Sequence, residues 1–186
     1  MNFNDARSAI LAETAEALNG MDGDQAARFC ELIAAAPRIF VTGEGRSGLM
    51  ARAFAMRLMH VGCIAFVVGE TTTPSIGKGD LLVAVSGSGE TAITRHVLTQ
   101  AAAAGANTAL LSSRADSSTG QAATFVLVVP GATKRRQEGE LSSQQPLGSL
   151  FDQAAHLALD AIILLLTANQ GVPNAPAPAA RHSNLE

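Results

Sequence analysis

The chain has 186 residues, is 47% hydrophobic and carries a net charge of −3. That suits one domain with a sizeable core and leaves no basic face for nucleic acid; with all its aromatics Phe, at 4%, it also offers few stacking platforms for bases. The N-terminus, MNFNDARSAILAE, lacks the apolar core of a signal peptide, and the two cysteines, Cys30 and Cys63, show no metal spacing and read as small buried hydrophobes.

In chain order, residues 5–19 and 23–36 repeat apolar residues at helical spacing, with Ile10, Leu11, Ala15 and Leu18 on the first. The intervening NGMDGD is turn-like, and Asp24 is the expected N-cap. Five short apolar runs of strand length follow, at 38–42, 63–68, 81–85, 107–112 and 124–129. Helical patterns at 47–61, 90–104 and 116–122 separate them. Continuous apolar strands alternating with helices predict a parallel sheet covered on both faces. The expected architecture is α/β: a three-layer doubly wound, five-stranded parallel sheet in the flavodoxin-like order 2-1-3-4-5. Residues 131–149 lack periodicity and are long for a connection, as functional lids are. Lys134, Arg135 and Arg136 there are candidates to attract an anion. Residues 149–168 predict a last long helix, whose apolar run 161–168 is too short to cross a bilayer. A single domain over 1–170, a disordered Pro/Ala-rich tail over 171–186, and a cytoplasmic chain that meets no membrane are expected.

Two loops carry the chemistry. VTGEGRSG, at 41–48, fits G-x-G-x-x-G through Gly43, Gly45 and Gly48. A glycine loop opening a helix suits any anion, because the helix N-terminus supplies free N–H groups and a positive dipole end. Alone it admits a dinucleotide, with Glu70 as the ribose-binding acid. The second loop, SGSGET at 86–91, gathers the hydroxyls of Ser86, Ser88 and Thr91 beside the backbone of Gly87 and Gly89. That is a nest for a single phosphate. In the 2-1-3-4-5 order the first and third strands are neighbours, so both loops meet at the topological switch point. A terminal monophosphate fits that concavity better than a pyrophosphate.

A glycine loop ending in Ser, followed by S-x-S-G-E-T after the third strand, resembles the sugar isomerase (SIS) domain. AMRLMH, VVGET and QQPLGSLF narrow the resemblance to the 6-phospho-3-hexuloisomerases, over about residues 38–166. The resemblance implies conversion of 3-hexulose 6-phosphate to fructose 6-phosphate through a 2,3-enediol, in formaldehyde fixation by the ribulose monophosphate pathway. It implies a homotetramer with sites between subunits, and neither metal nor organic cofactor. It carries phosphate-holding roles to Ser47, Ser86, Ser88 and Thr91. Gly45, Arg46 and Gly87 belong to the same binding set.

One residue departs from the pattern. The family usually has Glu after GSLF, where this chain has Asp152. Asp reaches about an ångström less far. Asp152 is the candidate base nonetheless, with Glu70 the alternative. His60, at the end of AMRLMH, is the candidate acid or proton shuttle. His156 lies one helical turn from Asp152, on its face. His96 reads as surface, His182 as tail, and Glu90 as a cap for its own helix. Two other readings share the scaffold: a non-catalytic regulatory module that binds sugar phosphates, and another aldose–ketose phosphate isomerase.

Overall fold

The structure, a computed structural model, describes residues 1–134, 136, 139–168 and 182. Arg135 and, His182 apart, the tail 171–186 lie outside the described residues. Two helices come first, α1 (Phe3–Asn19) and α2 (Gly23–Ala35). Asn2 closes α1 with a capping box: its side chain accepts from the Asp5 N–H at 3.0 Å, and the Asp5 carboxylate accepts from the Asn2 N–H at 2.9 Å. The cap of α2 is Asp22, which accepts from the N–H groups of Asp24 and Gln25. Asp24 was expected there. It sits in the first turn instead, because the extended backbone of Asp22 lets that carboxylate fold over the free N–H groups.

The strands are β1 (Ile39–Gly43), β2 (Ala65–Val67), β3 (Leu81–Val85), β4 (Asn107–Ser112) and β5 (Phe125–Val128). All pair in parallel, in the order β2-β1-β3-β4-β5. This is the order expected from the sequence. β2 is shorter than its apolar run, since as an edge strand it pairs only with β1, over three residues. The helices α3 (Gly45–His60), α4 (Ala92–Ala103), α5 (Ser118–Ala122) and α6 (Ser149–Ala168) complete the chain.

Side chains alternate between two cores. Ile39, Val41, Leu81, Val83, Val85, Ala109 and Leu111 face α2, α3 and α6, in the larger core with Phe29, Phe54 and Leu58. Phe40, Leu82, Ala84 and Leu110 face α4 in the smaller one, with Leu98 and Ala101. Because both faces are covered, the strands read as continuous apolar runs. α6 packs against α1, α2 and α3. By length and composition the whole of α6 could span a bilayer, which the short run 161–168 did not suggest, but half of that span is buried inside the protein. Its inner face, from Leu150 to Leu166, is part of the larger core, as in a core helix of a folded domain.

At the amino edge of the sheet, Arg38 grips the buried Asp80 carboxylate with two hydrogen bonds, at 2.9 and 2.6 Å, and the Gly77 N–H adds a third at 2.8 Å. The Arg38 hydrogen bonds hold the Asp80 carboxyl below its usual range, although burial opposes them. A lowered native value means that the stabilisation is complete above the unfolded value, about 4, and is lost as pH falls through the native one. Asp80→Asn is expected to unfold at lower urea concentration than the wild type at pH 7. The gap should narrow as pH drops below about 4; urea midpoints at pH 7, 5 and 3 check both expectations.

Candidate active site

The carboxyl ends of β1 and β3 are adjacent, so the loops leaving them share one cleft. In the first loop the glycines have separate reasons. A Cβ on Gly48 would lie 2.5 Å from the Gly43 carbonyl oxygen, so Gly43 and Gly48 let α3 start directly on the strand end. Gly45 has φ +58°, a conformation that turns the chain into the helix and that other residues resist. α3 accordingly begins at Gly45, two residues before the periodic pattern. The motif thus packs a strand against a helix and leaves the helix N-terminus open, with Ser47 in its first turn.

The second loop is pinned from below. The Gly87 carbonyl accepts from the hydroxyls of Ser112 and Ser113 and from the Ser113 N–H, at 2.9–3.1 Å. The Gly89 N–H closes a turn onto the Ser86 carbonyl, and a Cβ on Gly89 would collide with Ser117. Ser86 donates to the Thr91 hydroxyl at 3.2 Å, and Ser88 accepts from the Glu90 N–H at 3.3 Å. The upper side of this loop is left lined with hydroxyl and amide dipoles. Glu90 does not cap its own helix, as the sequence suggested; Thr91 is that cap. The Glu90 carboxylate accepts from the Ser118 N–H and hydroxyl at the start of α5 instead.

These loops wall a cleft of about 320 Å³, closed on the other side by Thr133, Lys134, Leu147, Gly148, Phe151 and Asp152. Gly45, Arg46, Ser47, Ser86, Gly87, Ser88 and Thr91 all line it, so the structure gathers every candidate of the phosphate-binding set in one place. Asp152 sits in the first turn of α6, 8% exposed. Its Oδ1 accepts from the Ser47 hydroxyl at 2.9 Å, and its Oδ2 lies 3.5 Å from the Arg46 guanidinium. Arg46 is in turn held by the Ser149 hydroxyl, at 2.7 Å. Burial raises the Asp152 carboxyl above its usual value, against the downward pull of Ser47 and Arg46.

Glu70 and His60 are not brought into this cleft. The Glu70 carboxylate pairs with Arg52. His60 ends α3, thirteen residues beyond Ser47, or roughly 20 Å along the helix axis. It is buried and stacks on His182, with ring centroids 5.4 Å apart. Burial, and the nearby positive groups His182 and Arg57, lower its pKa. His156 turns to Asp160, at 3.8 Å, rather than to Asp152. Sequence reasoning missed Ser149 and Phe151; the only available signal was their place in GSLF, directly before Asp152. The segment after β5 is anchored rather than loose. Thr133 donates its N–H and hydroxyl to Glu140, Arg136 holds the carbonyls of Ser143 and Gln145, and Glu13 of α1 accepts from residues 143–145. Among the described residues no group of three or more His, Cys, Asp or Glu side chains is placed to hold a metal ion.

Residues 32–157, which include the sheet, both loops and Asp152, match the SIS domain. This chain belongs to the SIS domain family. The chain is 38% identical to the 3-hexulose-6-phosphate isomerase of Bacillus subtilis over 177 residues, 95% of each protein. It is also 38% identical to the enzyme of that name from Mycobacterium gastri, over 96% of this chain and 89% of the relative. Among solved structures, a Methanococcus jannaschii protein whose crystal structure infers a molecular function of 3-hexulose-6-phosphate isomerase superposes with a TM-score of 0.82. It is 29% identical, over 98% of this chain and 99% of that one.

Since burial raises the Asp152 carboxyl, the SIS domain binds that proton more tightly than the unfolded chain does. Stability therefore falls as pH rises from the unfolded value, about 3.9, through the raised native one. Asn at this position carries no charge to bury. As pH rises from about 4 through the raised native value, the unfolding temperature of Asp152→Asn is expected to gain on that of the wild type and then to keep its lead. Thermal melts at unit pH steps check this, and a gap moving the other way would assign Asp152 a lowered pKa.

Proposed function

We propose that this SIS domain protein is a 3-hexulose-6-phosphate isomerase, which converts its substrate to fructose 6-phosphate. The observation that carries the reading is the pairing of Asp152 with Ser47 in the same cleft as the Ser86–Thr91 loop. The near-full-length relatives that bear this activity support it. The reaction moves a carbonyl from C3 to C2. A base takes the C2 proton and O3 gains a proton to give the 2,3-enediol; the base, whose proton exchanges in part with solvent, then protonates C3 as O2 loses its proton. C2 is oxidised as C3 is reduced, so the proposed chemistry asks for no cofactor. The Ser86–Thr91 loop anchors the phosphate, and a fixed orientation supplies much of the rate.

Asp152 is the proposed base, and its raised pKa suits one that must take up and return a proton near neutral pH. Ser47 then orients the base rather than only gripping phosphate, because its hydroxyl donates to the carboxylate. Arg46 stands where it can offset negative charge that develops on the substrate oxygens. His60 enters this reading only through another copy of the chain, given its distance from Ser47. A homotetramer with sites between subunits is accordingly part of the proposal, as is a cytoplasmic enzyme serving the ribulose monophosphate pathway. The exposed Leu157, Leu164 and Leu165 on the outer face of α6 support assembly.

The test is a coupled assay from ribulose 5-phosphate and formaldehyde with a hexulose-phosphate synthase, reading fructose 6-phosphate. The wild type is expected to complete the sequence, and Asp152→Asn to lose ~10²-fold or more in turnover with little change in KM. Solvent deuterium should enter the product with the wild type and not with the variant. An Asp152→Asn enzyme that isomerises and exchanges at the wild-type rate would place the base elsewhere.

Ser47→Ala separates two roles. If the hydroxyl positions the base, kcat falls by about tenfold and KM moves little; a phosphate ligand would show the reverse. We expect the first pattern.

A further inference from the structure

We propose that Lys134 is the cation that holds the substrate's phosphate against the Ser86–Thr91 loop, and so selects phosphorylated from free sugars. This rests on the isomerase reading and adds the charged contact that reading lacks. A phosphate monoester carries about −1.5 to −2 charges at neutral pH. The hydroxyls and amides of residues 86–91 are all neutral donors. Among the described residues the charged side chains lining the cleft are Glu44, Arg46, Lys134 and Asp152. Arg46 is committed to Ser149 and Asp152. Glu44 makes no capping hydrogen bond to α3 and adds a second negative charge. Two carboxylates thus face one guanidinium, so among the described residues Lys134 supplies the full positive charge that the neutral donors and helix dipoles do not.

Lys134 is exposed and makes no hydrogen bond or ion pair among the described residues. Its position is nevertheless fixed. Thr133, 3% exposed, is fastened to Glu140 at 2.7 and 2.6 Å, and Gly148 lies against the Lys134 backbone just before α6. A rooted backbone carrying a free ammonium on a flexible stem is what capture of an incoming anion needs. The described part of this segment thus brings the Lys134 charge to the cleft.

The test compares the wild type with Lys134→Met. Thermal-shift titrations with inorganic phosphate and with fructose 6-phosphate are run beside steady-state kinetics. The expected result is that both affinities weaken by about tenfold or more in Lys134→Met, with kcat changed far less. The ligand-free unfolding temperature should stay the same, and Lys134→Arg should recover most of the affinity. The dependence of kcat/KM on ionic strength should flatten in the Met variant. Unchanged fructose 6-phosphate affinity in Lys134→Met overturns the proposal. So does a loss confined to kcat, which would assign Lys134 to the reacting oxygens instead. If the wild type binds fructose 6-phosphate without turning it over, the isomerase reading fails while the binding comparison still decides the role of Lys134.

Discussion

The site depends on how Phe151 is seated. Its ring is 1% exposed and lies on the backbone of Gly87, where a Cβ would come within 2.9 Å of the ring. Its own backbone lies against Gly131, where a Cβ would stand 2.9 Å from the Phe151 Cα. A residue whose ring lies on one glycine and whose backbone lies on another cannot slide along the helix without losing its burial and meeting solid backbone. That contact registers α6 against the Ser86–Thr91 loop, and the register then places the next residue, Asp152, beside Ser47. The Gly43–Gly48 contact does the same for α3. Three helix N-termini, those of α3, α4 and α6, end up around one cleft because glycines let them approach. Their dipoles together favour an anion there.

The departure from the family pattern at Asp152 is understandable in the same terms. A carboxylate on a shorter side chain stays close to its own helix. Here it is met there by Ser47 and Arg46, both from the first turn of α3. The short reach is compensated by donors that come to it. The two glycine contacts fix the separation of α3 and α6, so the pairing is a property of the packing rather than of one flexible side chain.

Much of this was legible from the sequence, for physical reasons. Parallel strands buried on both faces must be apolar throughout, so the five runs stood out, and the flavodoxin-like order then brought the two loops together. The nest residues were legible because glycine and hydroxyl side chains at a strand-to-helix turn have few other uses. What the sequence did not show were matters of distance and of competition. His60 is near Ser47 in the chain, but the helix between them carries it away. Glu70 follows a strand toward the right end of the sheet, and Arg52 takes its carboxylate. Asp24 was the expected cap, but the extended backbone at Asp22 put that carboxylate over the free N–H groups instead. Residues 131–149 read as a lid because their anchors, Glu13 above all, lie far away in sequence.

Stability and chemistry are kept at opposite ends of the sheet. At the amino edge, Asp80 is buried with its charges paired, and it is held below its usual pKa. At the carboxyl edge, Asp152 is buried with its charge only partly compensated, and it is held above. A fold selected for stability alone would treat the two acids alike, by pairing both or replacing the second with an apolar residue. Keeping an under-compensated carboxylate costs the native state free energy at neutral pH, and the paired edge helps to offset it. In the proposed reaction that cost has a direct chemical use. An acid that holds its proton more tightly than water would allow is also a stronger base once that proton is gone, and the cleft places it opposite a loop built to hold an anion.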